Sequence, residues 1–230
     1  MSLPPHARYK EKLFPGSSHS WALAQCEPME RSVAVLDIGS GSGVMGAKLR
    51  ELGFGCVSAV EQDVQARAQT ASLYTDVAPL LSCFAGRTFG LVLLLDVIEH
   101  MAHPEEFLSE LRPLLSPGAT ILLSVPNVAH WSVRLPLLFG SFRYTERGIL
   151  DETHLRFFTR SSLRRFLKRI GGLSISGESV SVPPVEFVLP QPMWNNRMFR
   201  ALSSAHYHTA RVVPGFFGYQ LLTVLRYSPE

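Results

Sequence analysis

The sequence lacks the features that mark a membrane-spanning or exported chain. No apolar run approaches the roughly 18 residues needed to cross a bilayer. The N-terminal stretch MSLPPHARYKEK is polar and charged, not a basic tip followed by an apolar block. Internal repeats and low-complexity tracts are also absent. These absences predict a cytoplasmic protein with no membrane span.

Cysteine and net charge are both scarce. The chain has 3 cysteines (Cys26, Cys56 and Cys83), without a C-x-x-C pair, so we expect reduced, structural thiols and no disulfide framework. Lys and Arg number 22 against 19 Asp and Glu, a net charge of +3. A balance this close does not indicate a polyanionic partner, so a small or neutral substrate is as compatible with it as a nucleic acid.

What the sequence does contain suits one folded domain with a short N-terminal cap. At 230 residues and 46% hydrophobic content, the chain can bury a full core. Residues 1–30 are rich in proline, with a stretch from His19 to Cys26 that can make one or two helical turns. The main domain is predicted to occupy residues 31–230.

From Val33 onward, short apolar runs alternate with helix-compatible stretches, a pattern typical of an α/β fold with a mostly parallel sheet. The predicted strands are 33–38, 56–61, 89–97, 119–125, 173–182 and 216–227. The predicted helices are 44–52, 63–73, 104–115 and 159–170. Two segments lack a clean period, 127–158 and 183–215, the second with a helix near 195–207. We interpret both as an acceptor lid, since binding residues concentrate on loops held by a rigid sheet.

A glycine-rich loop, Gly39-Ser40-Gly41-Ser42-Gly43, joins the first strand to the first helix of this pattern. Such loops let the backbone approach a ligand at a helix N-terminus. The loop also mimics the dinucleotide fingerprint, which keeps an NAD-dependent oxidoreductase open. Asp37, just before the glycines, would oppose a pyrophosphate but suits the ammonium group of an amino-acid ligand. Glu61, ending the second strand, can accept hydrogen bonds from ribose hydroxyls in either case.

Three segments in this order, VLDIGSGSG, AVEQD and LLLDVIEHMAHPEEFLSELRPLLSPGATILLSVPN, resemble the motif series of class I S-adenosylmethionine-dependent methyltransferases. The resemblance covers roughly residues 30–182. It implies a Rossmann-like, doubly wound seven-stranded sheet, mostly parallel with an antiparallel last strand and helices on both faces. It also implies a cofactor site in which Asp37, Gly39 and Gly41 surround the methionine moiety and Glu61 holds the ribose. Ser40, Gln62 and Asp96 are expected to complete that site. Asp76 matches a position that often reaches the adenine, although a turn or cap residue fits it equally well.

A second group of titratable residues follows the most apolar strand. Asp96, Glu99 and His100 would share one face if the chain begins to coil there, at the edge where ligands of open α/β folds bind. The EH pair, the later proline-asparagine turn and His154 in DETHLRFFT are similar to a subset that includes ubiquinone-pathway and small-RNA O-methyltransferases.

That resemblance implies a divalent cation on Glu99, His100 and His154, with Asp96 beside them. The ligand types fit Zn, Mn or Fe at least as well as Mg. Many methyltransferases carry the EH pair without metal. In that case His100 or His154 becomes the candidate general base, with Asp96 as a further catalytic candidate.

These observations predict an enzyme that methylates an oxygen of a small-molecule acceptor, a sugar or secondary metabolite. An RNA 2′-O-methyltransferase stays open because of the His154 motif and a basic run on one predicted helix. A protein that binds S-adenosylmethionine without turnover is the third alternative. The basic run comprises Arg160, Arg164, Arg165, Lys168 and Arg169.

Overall fold

The computed structural model describes residues 16–182 and 208–229. Within them, one sheet contains seven strands: β1 (Val35–Ile38), β2 (Val57–Val60), β3 (Asp76–Ala78), β4 (Phe89–Leu95), β5 (Leu115–Pro126), β6 (Leu173–Val180) and β7 (Gln220–Tyr227). The α-helices are α1 (Ser18–Cys26), α2 (Val44–Glu51), α3 (Val64–Thr70), α4 (Pro104–Leu111), α5 (Trp131–Leu138), α6 (Arg160–Lys168) and α7 (Pro214–Phe217). Residues 208–212 are also helical.

The strand order is β3-β2-β1-β4-β5-β7-β6. Every neighbouring pair from β3 to β5 is parallel, while β7 runs antiparallel to both β5 and β6. The predicted seven-stranded sheet, mostly parallel with an antiparallel last strand, is therefore confirmed.

Helices cover both faces of the sheet because consecutive strand residues enter different cores. In β1, Val35 belongs to one hydrophobic cluster and Leu36 to the other. In β4, Leu91 and Val92 divide in the same way. Helices α1 and α2 contribute buried residues to the first cluster, and α4 and α6 contribute to the second. The apolar run of β4 thus lies centrally, covered on both faces, as expected for a parallel strand.

Two predicted boundaries differ from the structure where proline or glycine intervenes. Helix α4 ends at Leu111, and a 3-10 turn from Arg112 to Leu114 follows, because Pro113 offers no N–H to continue the helix. The last strand begins at Gln220, since the residues before it form α7 and an extended turn at Gly218.

Segment 127–158 was predicted to be irregular, yet it contains α5. His130 caps this helix, its Nδ1 accepting the N–H of Ser132 at 3.3 Å. The helix escaped prediction because Leu137 and Leu138 are exposed and Pro136 lies inside it, so no amphipathic period results. The helix predicted at 195–207 and most of the second lid segment, 183–215, lie outside the described residues. Within the described ranges, no helix is long and apolar enough to cross a membrane.

The chain reverses its direction of travel across the sheet between β1 and β4. From β1 it continues to β2 and β3 on one side, and then returns to β4 and β5 on the other. Ligands of open α/β sheets bind outside the carboxyl ends of the strands at such a switch point. The segment that follows β1 begins at Gly39, and the segment that follows β4 begins at Asp96. The fold therefore places the glycine loop and the DVIEH segment at one site.

Candidate active site

The glycine loop leads from β1 directly into α2. Gly39 and Gly43 have φ angles of 72° and 75°, which glycine adopts without steric cost. A Cβ atom on Gly39 would lie 2.9 Å from Val97 Cγ2, and one on Gly43 would lie 2.7 Å from Leu73 Cδ1. No side chain fits at either position, because the loop backbone is packed closely against its neighbours. The loop ends at the N-terminus of α2, where backbone N–H groups favour a polar or anionic ligand.

Asp37 is 4% exposed and accepts a 2.7 Å hydrogen bond from the Tyr74 hydroxyl on Oδ2. Burial raises the pKa of Asp37 to about 6, although the Tyr74 hydrogen bond opposes this rise. The same hydroxyl accepts the Gly46 N–H in α2 at 3.2 Å, and the hydroxyl of Ser40 is buried nearby. Tyr74 was not predicted, because its partner is 37 positions away in the sequence. It ties the acid to the helix that follows the loop.

Glu61 follows β2 and reaches the same loop. Its Oε2 accepts the Gly41 N–H at 2.8 Å, and its Oε1 accepts the Asp63 N–H at 2.9 Å. Gln62 is exposed beside it, and the Gln62 carbonyl accepts a hydrogen bond from Arg67. The structure therefore brings the carboxylate of Glu61 to the glycine loop, while Gln62 follows it as an exposed residue for which the described part of the structure shows no hydrogen bond to that loop.

Asp76 is not brought to that loop. It begins β3 instead of ending it, level with Ser58 in β2. Its Oδ2 pairs with Arg87 at 2.8 Å, and Arg87 also donates to Ser58, near the start of β2. Asp76 thus lies at the end of β3 opposite to the carboxyl edge of the sheet, which argues against the predicted contact with adenine. The carboxyl end of β3 carries Leu80, an apolar side chain that is 54% exposed.

Asp96 follows β4 with a φ of 58°, the one positive φ of a non-glycine residue in the described part of the chain. Its carboxylate accepts hydrogen bonds from Ser124 on β5 and Gln220 on β7. The next residue, Val97, packs on Gly39. Asp96 therefore lies between Val97, which contacts the glycine loop, and the donors of β5 and β7, and its role in cofactor binding stays a prediction. Neither Ser124 nor Gln220 was foreseen, since Gln220 is 124 positions away.

Glu99, His100 and His154 converge beside this turn. Each offers one ligand atom, and these three atoms lie within 4.8 Å of one another. The Glu99 carbonyl accepts the N–H groups of Leu155 and Arg156, at 2.8 and 2.9 Å, which holds the two segments together. The two imidazole rings meet edge to face with centroids 4.8 Å apart. The expected convergence across 54 positions of sequence is thus present in the structure.

The hydrogen bonds of the two histidines determine which nitrogen faces the cluster. His154 Nδ1 lies 3.0 Å from the Ile149 carbonyl, and His100 Nδ1 lies 3.3 Å from the Thr153 carbonyl. Because a carbonyl only accepts, the Nδ1 of His154 carries a hydrogen. The Thr153 hydroxyl, 3.2 Å from His100 Nδ1, already donates to Asp151, so His100 Nδ1 also acts as a donor. In both rings the Nε2 atom is therefore the one available to the cluster. Burial also lowers the pKa of His154, which favours the neutral ring. This donor set fits a divalent cation, because metal-ligating histidines typically donate their other N–H to the protein.

Aromatic side chains stand next to His154. Phe157 lies 6.4 Å from the His154 ring, and Phe142 and Tyr144 pack edge to face with each other at 5.7 Å. Phe142 also contacts Phe157 at 5.9 Å. Tyr144 remains largely exposed. This aromatic cluster can form an apolar wall beside the three ligand atoms.

The sheet order, the switch-point loop and its acidic partners define a class: Rossmann-like proteins that bind a nucleoside-containing ligand at the carboxyl edge of the sheet. A family model described as a methyltransferase domain matches residues 14–171. The chain therefore belongs to this family and is a class I enzyme that uses S-adenosylmethionine.

Known relatives are similar to this chain over different lengths. A ubiquinone biosynthesis O-methyltransferase from Roseobacter denitrificans is 28% identical over 84% of this chain and 77% of its own length. A Caulobacter enzyme of the same description is 32% identical over 58% of this chain, and the match spans 56% of that relative. Magnesium protoporphyrin IX methyltransferase from Synechocystis, solved with bound S-adenosylhomocysteine, superposes with a TM-score of 0.60, 15% identity, and coverage of 92% and 82%. At this identity, the superposition shows the fold alone.

Proposed function

We propose that this enzyme transfers the methyl group of S-adenosylmethionine to a hydroxyl oxygen of a small-molecule acceptor. The observation that carries the proposal is the convergence of Glu99, His100 and His154 within 4.8 Å, beside the turn that packs on the glycine loop. The donor would lie on the loop, with Asp37 near its ammonium group and Glu61 at its ribose. The acceptor would enter from the side of the histidines.

The reaction needs a deprotonated oxygen aligned with the methyl carbon and the sulfur. The acceptor oxygen forms the new bond to carbon while the carbon–sulfur bond breaks, and the electron pair leaves with S-adenosylhomocysteine. Without a metal ion, we assign the hydroxyl proton to the Nε2 lone pair of His100 or His154. In the alternative, a Zn, Mn, Fe or Mg ion held by Glu99 and the two histidines would occupy those lone pairs and lower the pKa of the hydroxyl, and its proton would then pass to water. Much of the rate would come from alignment.

A small acceptor is favoured over RNA by the surroundings of the cluster. The aromatic cluster of Phe142, Tyr144 and Phe157 offers an apolar wall to a ring or an alkyl chain. Of the basic helix α6, Arg160 and Arg164 both pair with Glu178 on β6, so part of its charge is already compensated. The descriptions of the Roseobacter and Caulobacter relatives support an oxygen acceptor. A sugar or an aromatic secondary metabolite fits this site.

The domain organisation belongs to the same proposal. Residues 31–230 would form the methyltransferase domain, with residues 1–30 as a cap. Segments 127–158 and 183–215 would cover the acceptor, and the first of these supplies His154 and the aromatic cluster.

The test is a transfer assay with S-adenosylmethionine labelled in its methyl group. Phenols, catechols, free sugars and a short RNA are offered in parallel, with Mn²⁺ or Zn²⁺ and with a chelator. We expect label on a hydroxyl compound and none on RNA. His154→Ala should lower that rate roughly a hundredfold or more while S-adenosylhomocysteine still binds, and His103→Ala, an exposed histidine of the same region, should not.

Two results would overturn the proposal. Label on RNA, with binding that weakens steeply with salt, would favour the RNA enzyme. Tight binding of S-adenosylhomocysteine without label on any acceptor would favour a binding protein without turnover.

A further inference from the structure

A chain of side-chain hydrogen bonds runs from the end of β6 through β7 to the turn after β4. The Ser181 hydroxyl donates to Gln220 Oε1 at 2.8 Å and accepts the Gln220 N–H at 3.1 Å. Gln220 Nε2 then donates to both carboxylate oxygens of Asp96, at 2.5 and 2.6 Å. Ser181 and Gln220 are both buried. Two strands at the far side of the sheet are therefore connected to Asp96.

The direction of these hydrogen bonds is fixed by Asp96. A glutamine amide can present either its oxygen or its nitrogen, and the carboxylate of Asp96, which only accepts, selects the nitrogen. The Gln220 oxygen then faces Ser181, whose hydroxyl donates to it. From the other side, Ser124 donates to Asp96 Oδ1 at 2.8 Å and accepts the Asp96 N–H at 3.0 Å. The carboxylate is thus held by donors from two strands, β5 and β7.

The residue that these hydrogen bonds hold, Asp96, has an unusual backbone conformation. Asp96 has a φ of 58°, which side-chain-bearing residues rarely adopt. The conformation turns the chain so that Val97 packs on Gly39 of the cofactor loop. It also starts the short turn Ile98–His100, from which the two cluster residues of the EH pair project. One backbone turn therefore sets the position of both halves of the site.

We infer that Gln220 is a positioning residue for cofactor binding, acting through Asp96 and held in place by Ser181. Without its amide, the turn at Asp96 relaxes toward an ordinary φ, Val97 moves from Gly39, and the loop loses the shape that fits S-adenosylmethionine. The inference rests on the proposed function only in placing Asp96 in the active site. Its test uses the cofactor product alone, so it requires no knowledge of the acceptor.

The first variant is Gln220→Met, which keeps the length of the side chain but removes its amide. The matched control is Thr223→Val, an isosteric loss of a hydroxyl at another buried position of β7. We expect the Kd for S-adenosylhomocysteine, measured by calorimetry, to rise about tenfold or more in Gln220→Met, the usual effect of removing a hydrogen bond to a charged group. Thr223→Val should bind as the unchanged chain does. If Gln220→Met does not fold, Ser181→Ala takes its place, because it removes the hydrogen bond that holds the amide oxygen of Gln220.

A double-mutant cycle with Asp96→Gly separates positioning from general packing. Glycine takes a φ of 58° without support and has no carboxylate to hold, so Gln220→Met should add no further loss of affinity in the Asp96→Gly chain. Equal losses in both backgrounds would overturn the inference, as would unchanged affinity in Gln220→Met. A chain that binds S-adenosylhomocysteine as expected but methylates no acceptor contradicts the proposed function and leaves this inference intact.

Discussion

Replacing Tyr74 with phenylalanine removes one hydroxyl that serves two buried groups. The hydroxyl donates to Asp37 at 2.7 Å and accepts the N–H of Gly46, in the first turn of α2, at 3.2 Å. A hydrogen bond to a charged group contributes about 1.5–3 kcal/mol and a neutral one about 0.5–1.5 kcal/mol. We therefore expect Tyr74→Phe to lower the free energy of unfolding by about 2–4 kcal/mol at pH 7.5.

The loss should depend on pH in a defined direction. Burial raises the pKa of Asp37 from 3.8 to about 6, so the folded chain binds this proton more tightly than the unfolded chain does. Binding of this proton stabilises the folded chain by about 3 kcal/mol. The whole contribution is present below pH 3.8, and it is lost as the pH rises through about 6. Without the Tyr74 donor, the pKa of Asp37 rises further. The Tyr74→Phe variant should therefore lose the most unfolding free energy above pH 6 and the least near pH 5, where Asp37 is protonated.

The assay is urea unfolding at pH 5, 6, 7 and 8, with Tyr144→Phe as the matched control. Tyr144 loses the same hydroxyl at a position that is 58% exposed, so its unfolding free energy should change by less than about 0.5 kcal/mol. Refutation is direct: a Tyr74→Phe loss no larger than that of Tyr144→Phe, or one that stays constant from pH 5 to 8, would show that the buried acid does not depend on this hydroxyl.

Three further predictions concern the same end of the sheet. Gly46→Ala should destabilise the fold by roughly 1–3 kcal/mol in thermal unfolding, since a Cβ there would lie 2.3 Å from the Tyr74 ring, whereas Gly55→Ala has open space and should be neutral. Glu61→Gln should weaken S-adenosylhomocysteine about tenfold in calorimetry because a charged acceptor for the loop N–H and for ribose is lost; unchanged affinity would remove Glu61 from the site. Asp76→Asn should leave that affinity within about twofold, since Asp76 lies away from the loop, and a larger loss would restore its assignment to adenine.

Local sequence patterns predicted the parts of the site that are built from neighbouring residues. The glycines after β1, the acid at the end of β2 and the EH pair after β4 each follow an apolar strand, and parallel strands bring their carboxyl ends together. His154 was reached only through a family resemblance. The segment that contains His154 is held by the Glu99 carbonyl, and a contact between backbone groups cannot be predicted from residue types. Helix α5 and the start of β3 were missed because exposed leucines and a short edge strand carry no periodic signal.

The other site residues that could not be predicted from the sequence make side-chain contacts over long sequence distances. Tyr74 and Gln220 are ordinary residues in their own segments, and only the fold shows that each holds an acid of the site. The position of Gln220 has a further consequence for the family. The methyltransferase-domain match ends at residue 171, before β6 and β7. Yet Gln220 lies on β7 and Ser181 directly follows β6, and together they hold the turn at Asp96. That turn lies between the cofactor loop and the cluster of Glu99, His100 and His154. The family match therefore leaves out two residues that, by our inference, shape the cofactor loop. Comparisons of cofactor affinity among relatives should begin with those two strands, and comparisons of acceptor choice with the DETHLRFFT segment.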